Sequence, residues 1–307
     1  MGTESGHINN KMIIWGMSRN GHDWAIAVFK DRKYIKTISG KGSKHTYKSV
    51  KEVKKEYEPN LIVWYENPYL KSIRQFLAGQ SKPFYRNNIK KYLQNLNINC
   101  KWTYVGHHES HAAAFYKSGF KDATIVVIDS IGEFDCTSIW KTKNNKLKKL
   151  KSTKYPHSIG LFYSAMTDRV GLKPQQDEAK FEQMSHSLLK TNIKIDIIKK
   201  WKPMPKFKMN FHRGAREIWK DKNNEEIASI TKEIFEKCVT YILKHARDIT
   251  DSRNIVLSGG VAFNKSIPKL VGKTWDNLYI PPNPSDTGSA EGAVLAYFNG
   301  KYISNWL

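Results

Sequence analysis

Acidic residues are scarce in this chain: 28 Asp+Glu stand against 51 Lys+Arg in 307 residues, a formal charge of +23. Such an excess goes beyond what solubility needs and points to a polyanionic partner. Cysteine is scarcer still. Cys100, Cys136 and Cys238 are an odd number without CxxC spacing, which argues against a disulfide framework or a thiolate metal site and fits a reducing, cytoplasmic compartment, the host's if the source is viral. No run approaches the roughly 18 apolar residues that a bilayer crossing requires. The start, Met1 to Lys11, is polar and has no apolar core behind a positive leader, so no membrane association is expected. With 40% hydrophobic residues and 9 Trp, low-complexity and collagen-like architectures are excluded and the charge decorates a folded globule.

Three short alternating segments, Met12 to Met17, Trp24 to Lys30 and Tyr34 to Ser39, predict a three-strand meander. A Lys/Glu-rich helix over Thr46 to Glu56 precedes the apolar run Leu61 to Tyr65. Helices near Tyr69 to Ala78 and Phe84 to Asn95 follow, then a strand at Trp102 to Val105 and a helix from about His108. The order then recurs. Ala123 to Asp129, Asp135 to Lys141 and Leu147 to Thr153 read as a second meander, with turns at Ser130-Ile131-Gly132 and Asn144-Asn145. After a long helical region come the strand Asn254 to Ser258, a Gly-Gly turn, a short helix from about Val261, the strand Leu278 to Ile280 and a helix over Thr287 to Phe298. Such a repeat predicts a duplicated α/β fold of two mixed sheets flanked by helices, with a ligand cleft between the halves. The first half is placed at 1–121 and the second at 122–307, with a helical, Lys- and aromatic-rich insertion at about 156–250. Pro203 and Pro205 make a continuous helix through Trp201 to His212 untenable.

The sharpest local signal is Val105 to Ala114. Four residues apart on a helix, His107 and His111 share one face and can reach one metal ion, or else form a polar helix face. Asp129 closes an apolar strand, and Asp286 sits in Pro284-Ser285-Asp286-Thr287-Gly288, where N-capping of the last helix is an equal reading. Two His with one or two Asp suit iron(II), manganese or zinc better than copper or calcium. Three glycine turns, at Gly132-Glu133, Gly259-Gly260 and Gly288, lie at strand ends where backbone N–H groups can hold a phosphate. The hairpin turn Asn20-Gly21-His22-Asp23 faces the same cleft, which makes His22 either a general base or a plain solvent-facing turn residue.

Together these segments resemble the N-terminal catalytic part of the O-carbamoyltransferases that decorate nodulation factors and antibiotics. That family lies within the actin-like and Hsp70-like (ASKHA) superfamily, built from two RNase H-like halves. The resemblance rests on Gly21-His22-Asp23, His107 to Ala113 with Phe115 to Phe120, Asp129 to Glu133, Ser158 to Tyr163, Glu178-Ala179-Lys180, Ser258 to Asn264 and Asp286-Thr287-Gly288. It implies a divalent metal, iron foremost, on His107, His111, Asp129 and Asp286. It implies donor or nucleotide contacts at Gly132, Glu133, Glu178, Lys180, Gly259, Gly260, Asn264 and Gly288, and it points to His22 as the residue beside the acceptor hydroxyl. The implied donor is carbamoyl phosphate or an ATP-derived carbamoyladenylate. Antibiotic-type members carry a second domain that makes the adenylate, whereas this sequence stops at Leu307. A separate adenylate-forming protein, or direct use of carbamoyl phosphate, is the corresponding expectation.

Charge bears on the acceptor. Lys141 to Lys154 holds seven lysines and no acid, and Lys200, Trp201, Lys202, Lys206, Phe207 and Lys208 interleave cations with aromatics, a composition suited to phosphates and stacked bases. A hydroxymethylated pyrimidine in DNA, such as 5-hydroxymethylcytosine, supplies a primary alcohol on a polyanion and is the expected acceptor. Two alternatives stay open: a small-molecule sugar or antibiotic-like hydroxyl, and a non-catalytic actin-like module that binds nucleic acid. The lysine excess can also reflect an AT-rich genome.

Overall fold

The computed structural model describes residues 12–20, 23–41, 43–80, 88–185 and 197–300. The first half runs β1 Ile13–Asn20, β2 Asp23–Lys30, β3 Lys33–Lys41, α1 Ser43–Glu56, β4 Leu61–Trp64, α2 Pro68–Leu77, α3 Ile89–Asn95, β5 Lys101–Tyr104 and α4 His107–Ala112. The second runs β6 Thr124–Gly132, β7 Asp135–Lys143, β8 Lys146–Lys154, α5 Ile159–Arg169 and α6 Glu178–Met184. It continues with β9 Ile198–Lys200, β10 Lys206–Phe207, α7 Asn224–Asp248, β11 Asn254–Ser258, α8 Ile267–Val271, β12 Asn277–Tyr279 and α9 Ser289–Tyr297.

Each half is built on a five-stranded sheet, ordered β3-β2-β1-β4-β5 and β12-β11-β6-β7-β8. In both, the first strand pairs antiparallel with the meander and parallel with the later strand, β1 with β4 and β6 with β11. The duplicated α/β architecture expected from periodicity is therefore present strand for strand. β6 lies at the centre of its sheet, and the unbroken burial of Thr124 to Asp129 explains why it reads as an apolar run rather than an alternation.

The two sheets do not keep their helices to themselves. Ala290, Ala293, Val294 and Leu295 of α9 pack into the core formed by β1, β2 and β4. Phe115, in the 3-10 turn after α4, packs with Ile125, Val127 and Val256 of the second sheet. A cut between 121 and 122 therefore separates the sheets but not the cores. Close approach is what permits the exchange: a Cβ on Gly16 would lie 1.8 Å from the Ala290 carbonyl oxygen, and one on Gly292 would lie 1.9 Å from that of Ser110. The crossing of α4 and α9 at Gly292 sets the spacing of the site described next.

Two local readings need correction. Ser130-Ile131-Gly132 is not a turn: β6 continues through Gly132, and the reversal falls at Glu133, whose φ is +35°. A register shift between Ile128 and Gly132 kinks the strand there, and such irregularities re-aim side chains near active sites. The helix after the Gly-Gly turn is only a 3-10 turn, Gly260–Phe263. As Pro203 and Pro205 require, Trp201 to His212 forms no α-helix, and β10 within it pairs antiparallel with β9.

Candidate metal centre at the floor of a cleft

α4 begins at His107, directly after the parallel edge strand β5, so its first turn brings His107 and His111 under the ends of the central strands. The register shift in β6 lies at Asp129, and the loop entering α9 carries Asp286. These four side chains converge: one donor atom from each lies within 4.8 Å of all the others. His107 Nε2 is 2.9 Å from Asp129 Oδ2 and 3.4 Å from Asp286 Oδ1. His111 Nε2 is 3.3 Å from Asp286 Oδ1 and 3.7 Å from Asp129 Oδ2. The two Nε2 atoms face each other at 3.2 Å. The N-cap reading of Asp286 is thereby set aside, since Gly288 occupies the cap position of α9 and the Asp286 carboxylate turns to the histidines.

An outer partner holds one ring, and a carboxylate stands behind the other. Ser289 Oγ sits 3.2 Å from His111 Nδ1. His107 Nδ1 is buried without a hydrogen bond, 3.7 Å from the Glu66 carboxylate, which Lys71 pairs. Asp129 Oδ1 accepts from the Gly260 N–H at 3.3 Å, and its carbonyl accepts from Ser158 Oγ. Two imidazole Nε2 atoms and two carboxylate oxygens aimed at one point, with His111 and Asp129 held from behind, fit a divalent ion of the iron(II), manganese or zinc kind.

The electrostatics agree with this geometry. Burial opposes charge on His107, but Asp286 and Asp129 outweigh it and hold the imidazole well above its ordinary pKa. His111 is raised in the same way by its bonds to Asp129 and Asp286. Asp129 is buried, yet its bonds to His107 and His111 keep it well below the usual carboxylate range. His108 is different: burial, reinforced by the charge on His107, pushes it to about 3, and this neutral ring sits 2.7 Å from Ser138 Oγ.

A cleft of about 770 Å³ opens onto the centre, and Asp129 and Asp286 form part of its wall. Asp23 and Lys41 line it from the first half; Gly160, Tyr163, Glu178, Gly260 and Asn264 line it from the second. Of the residues assigned to the donor, then, Glu178, Gly260 and Asn264 face the cleft. Burial raises the Glu178 carboxyl. The others serve elsewhere. Gly132 gives room to His107, whose ring atoms would lie 2.2 Å from a Cβ there. Glu133 accepts hydrogen bonds from the backbone N–H groups of Asn67 at 2.6 Å and His107 at 3.1 Å, tying α2 and α4 to the β6–β7 hairpin. Lys180 is exposed and paired with Asp177. Gly259, at φ +93°, lets its loop approach the Ile128 carbonyl, and Gly288 packs against that of Asn283. His22 lies outside the described residues.

Sequence reasoning missed Glu66, Lys71 and Ser289. An acid immediately after the buried run Leu61 to Tyr65 is the same signal that marks Asp129, and could have found Glu66.

The aromatics of the basic strip require correction. Phe207 is 1% exposed and stacks on Phe162 at 5.2 Å, and Trp201 packs against Tyr241 at 5.4 Å. The physical reason is strand alternation: Lys206 of β10 and Lys208 just after it flank Phe207 and are exposed while it fills the core. Lys200 and Lys202 are exposed as well. β8, with most of its lysines exposed, is the last strand of its sheet, where lysine also blocks edge-to-edge pairing. No helix among the described residues is long and apolar enough to cross a membrane.

Residues 48–295 match the family described as carbamoyltransferase N-terminus. An uncharacterized protein of Methanocaldococcus jannaschii is 30% identical over 68% of this chain and 43% of its own length. Nodulation protein NolO of Bradyrhizobium diazoefficiens is 26% identical over 62% of this chain and 38% of its own. The chain spans between about a third and three fifths of the length of the curated relatives it matches. Among solved structures, full-length HypF in its phosphate- and nucleotide-bound form superposes on 94% of this chain and 46% of its own, with a TM-score of 0.54 at 12% identity. An activator of 2-hydroxyisocaproyl-CoA dehydratase from Clostridium difficile with bound ADPNP does so over 94% and 96%, at 0.51 and 14%. On a duplicated actin-like α/β fold, and with the match covering most of its length, the chain belongs to the carbamoyltransferase N-terminal family.

Proposed function

We propose that this chain transfers a carbamoyl group from carbamoyl phosphate or carbamoyladenylate to an acceptor hydroxyl in the cleft between its halves. The observation that carries the reading is the convergence of buried His107 and His111 on Asp129 and Asp286, which line that cleft, in a chain of this family. A divalent ion held there would act as a Lewis acid on the carbamoyl carbonyl. The Gly260 loop keeps Asp129 in place, while Glu178, Tyr163 and Asn264 offer polar contacts to a nucleotide or phosphate leaving group. In the transfer, the acceptor oxygen bonds to the carbamoyl carbon and the bond from that carbon to the phosphate oxygen breaks. Phosphate or AMP leaves, and the hydroxyl proton passes to a base, the role we propose for His22.

The acceptor we favour is a hydroxymethylated pyrimidine in DNA. The net charge and the exposed lysines of β8, β9 and β10 support it through phosphate contacts rather than base stacking, because Phe207 faces inward. The nodulation relatives favour the second reading, a sugar hydroxyl. The test supplies metal and carbamoyl phosphate, with and without ATP, to the protein and either hydroxymethylcytosine DNA or a chitooligosaccharide. Products are weighed by mass spectrometry. A carbamoyl increment on the nucleoside supports the first acceptor, one on the sugar supports the second, and none on either, with metal bound, contradicts transfer by this chain.

A further inference from the structure

α2 is amphipathic the wrong way round for a helix on a monomer's surface. Its buried positions include Ser72 and Arg74, whereas Leu70, Ile73, Phe76 and Leu77 are 43%, 40%, 52% and 71% exposed. With Tyr69 they stand at i, i+1, i+4, i+7 and i+8, a single stripe along the helix. Tyr104, at the end of β5, extends the stripe through an edge-to-face contact with Tyr69 at 6.0 Å. The two cations of α2 are turned away from this face: Lys71 pairs with Glu66, and Arg74 donates to the Glu133 carbonyl. On a chain of charge +23, this is an apolar stripe without charge of its own.

We infer that this face binds a second copy of the chain, α2 against α2, about a two-fold axis near Ile73. The residue order supports self-pairing. An aromatic-leucine pair, Tyr69-Leu70, and another, Phe76-Leu77, flank Ile73 on either side, so antiparallel packing sets each pair of one copy against the opposite pair of the other. Area supports it too: the exposed parts of these side chains amount to about 600 Å² per copy. Complete coverage of the stripe on both copies would bury twice that, the lower bound of stable protein interfaces at about 1,200 Å². Because the stripe itself carries no lysine, the α2–α2 contact sets no like charges of the stripe face to face.

Sedimentation equilibrium of the full chain tests this. The wild type is expected to be a dimer that tightens as salt rises from about 0.05 to 0.5 M, since salt screens the repulsion of the two basic bodies. Ile73→Glu with Leu77→Glu, both at exposed positions, should raise the dimer Kd at least about 100-fold with circular dichroism and metal content unchanged. Ile73→Cys in a Cys100→Ser background should cross-link under mild oxidation, and Lys148→Cys should not. A wild type that stays monomeric to about 100 μM overturns the inference. So does a dimer that survives the double substitution, or a stripe that captures a different protein while the chain alone remains monomeric.

Discussion

Asp286 Oδ1 lies 3.3 Å from His111 Nε2, across 175 positions of sequence. The pair joins a loop of the second half to a helix of the first, and Ser289, one turn further on, holds the same imidazole from behind. Closure of the site therefore depends on α9 crossing to the first sheet.

The outer partners should matter almost as much as the ligands. Glu66→Gln and Ser289→Ala are each expected to weaken divalent metal binding by about 10- to 100-fold with the fold intact, read by calorimetric titration. Affinity equal to the wild type in both would mean that neither ring is oriented from behind.

Gly132 is a clearance for His107. Gly132→Ala should cost about 1–3 kcal/mol and weaken metal binding, because a Cβ would lie 2.2 Å from the ring. Gly272→Ala serves as the control. There the nearest atom is the Pro268 carbonyl oxygen at 3.4 Å, in helical backbone, so its stability should hold or rise by about 0.4–1 kcal/mol. Equal melting temperatures for both variants would contradict the assignment.

Metal-free protein should respond to pH in a definite sense. His107 and His111 are raised, so their contribution is complete below the ordinary imidazole pKa of about 6.5 and fades as pH climbs through the raised values. Asp129 is depressed, and its contribution disappears only as pH falls through its lowered value. The melting temperature of metal-free protein is thus expected to decline above neutrality, while metal affinity rises over the same interval as the ion displaces protons. Metal affinity that is flat with pH would show that the imidazoles are not the ligands.

The order of strands is legible in the sequence because apolar and period-2 runs are local patterns, and so are an i,i+4 histidine pair and an acid closing a strand; that His107, His111, Asp129 and Asp286 form one set is what the family resemblance implies. The exchange of helices is not. A 3.6-residue period shows that α9 has an apolar face, not that the β1 sheet receives it. Gly132 and Glu133 resemble a phosphate loop by composition, and only the packed structure shows one making room for His107 and the other accepting its N–H. Phe207 is misread for the reason strands are easily misread: alternation with lysine is the pattern of a half-buried strand, and of an aromatic rail, alike.

That distinction is measurable. Phe207→Ala should destabilise by about 3–5 kcal/mol, as core aromatics do. Lys148→Gln, Lys151→Gln and Lys202→Gln should leave the stability within about 1 kcal/mol of the wild type and flatten the salt dependence of duplex DNA binding by roughly one in log–log slope for each phosphate no longer neutralised. A salt slope unchanged by all three would exclude these strands as the DNA-facing surface.

The central claim is that His107, His111, Asp129 and Asp286 hold one divalent ion in the cleft. Anomalous diffraction from crystals grown with iron(II) under anaerobic conditions tests it most directly. The account predicts a single strong peak about 2.0–2.3 Å from His107 Nε2, His111 Nε2 and an oxygen of each aspartate, abolished by Asp286→Asn with His111→Ala. A peak elsewhere, or none in protein shown by mass spectrometry to contain iron, would contradict it.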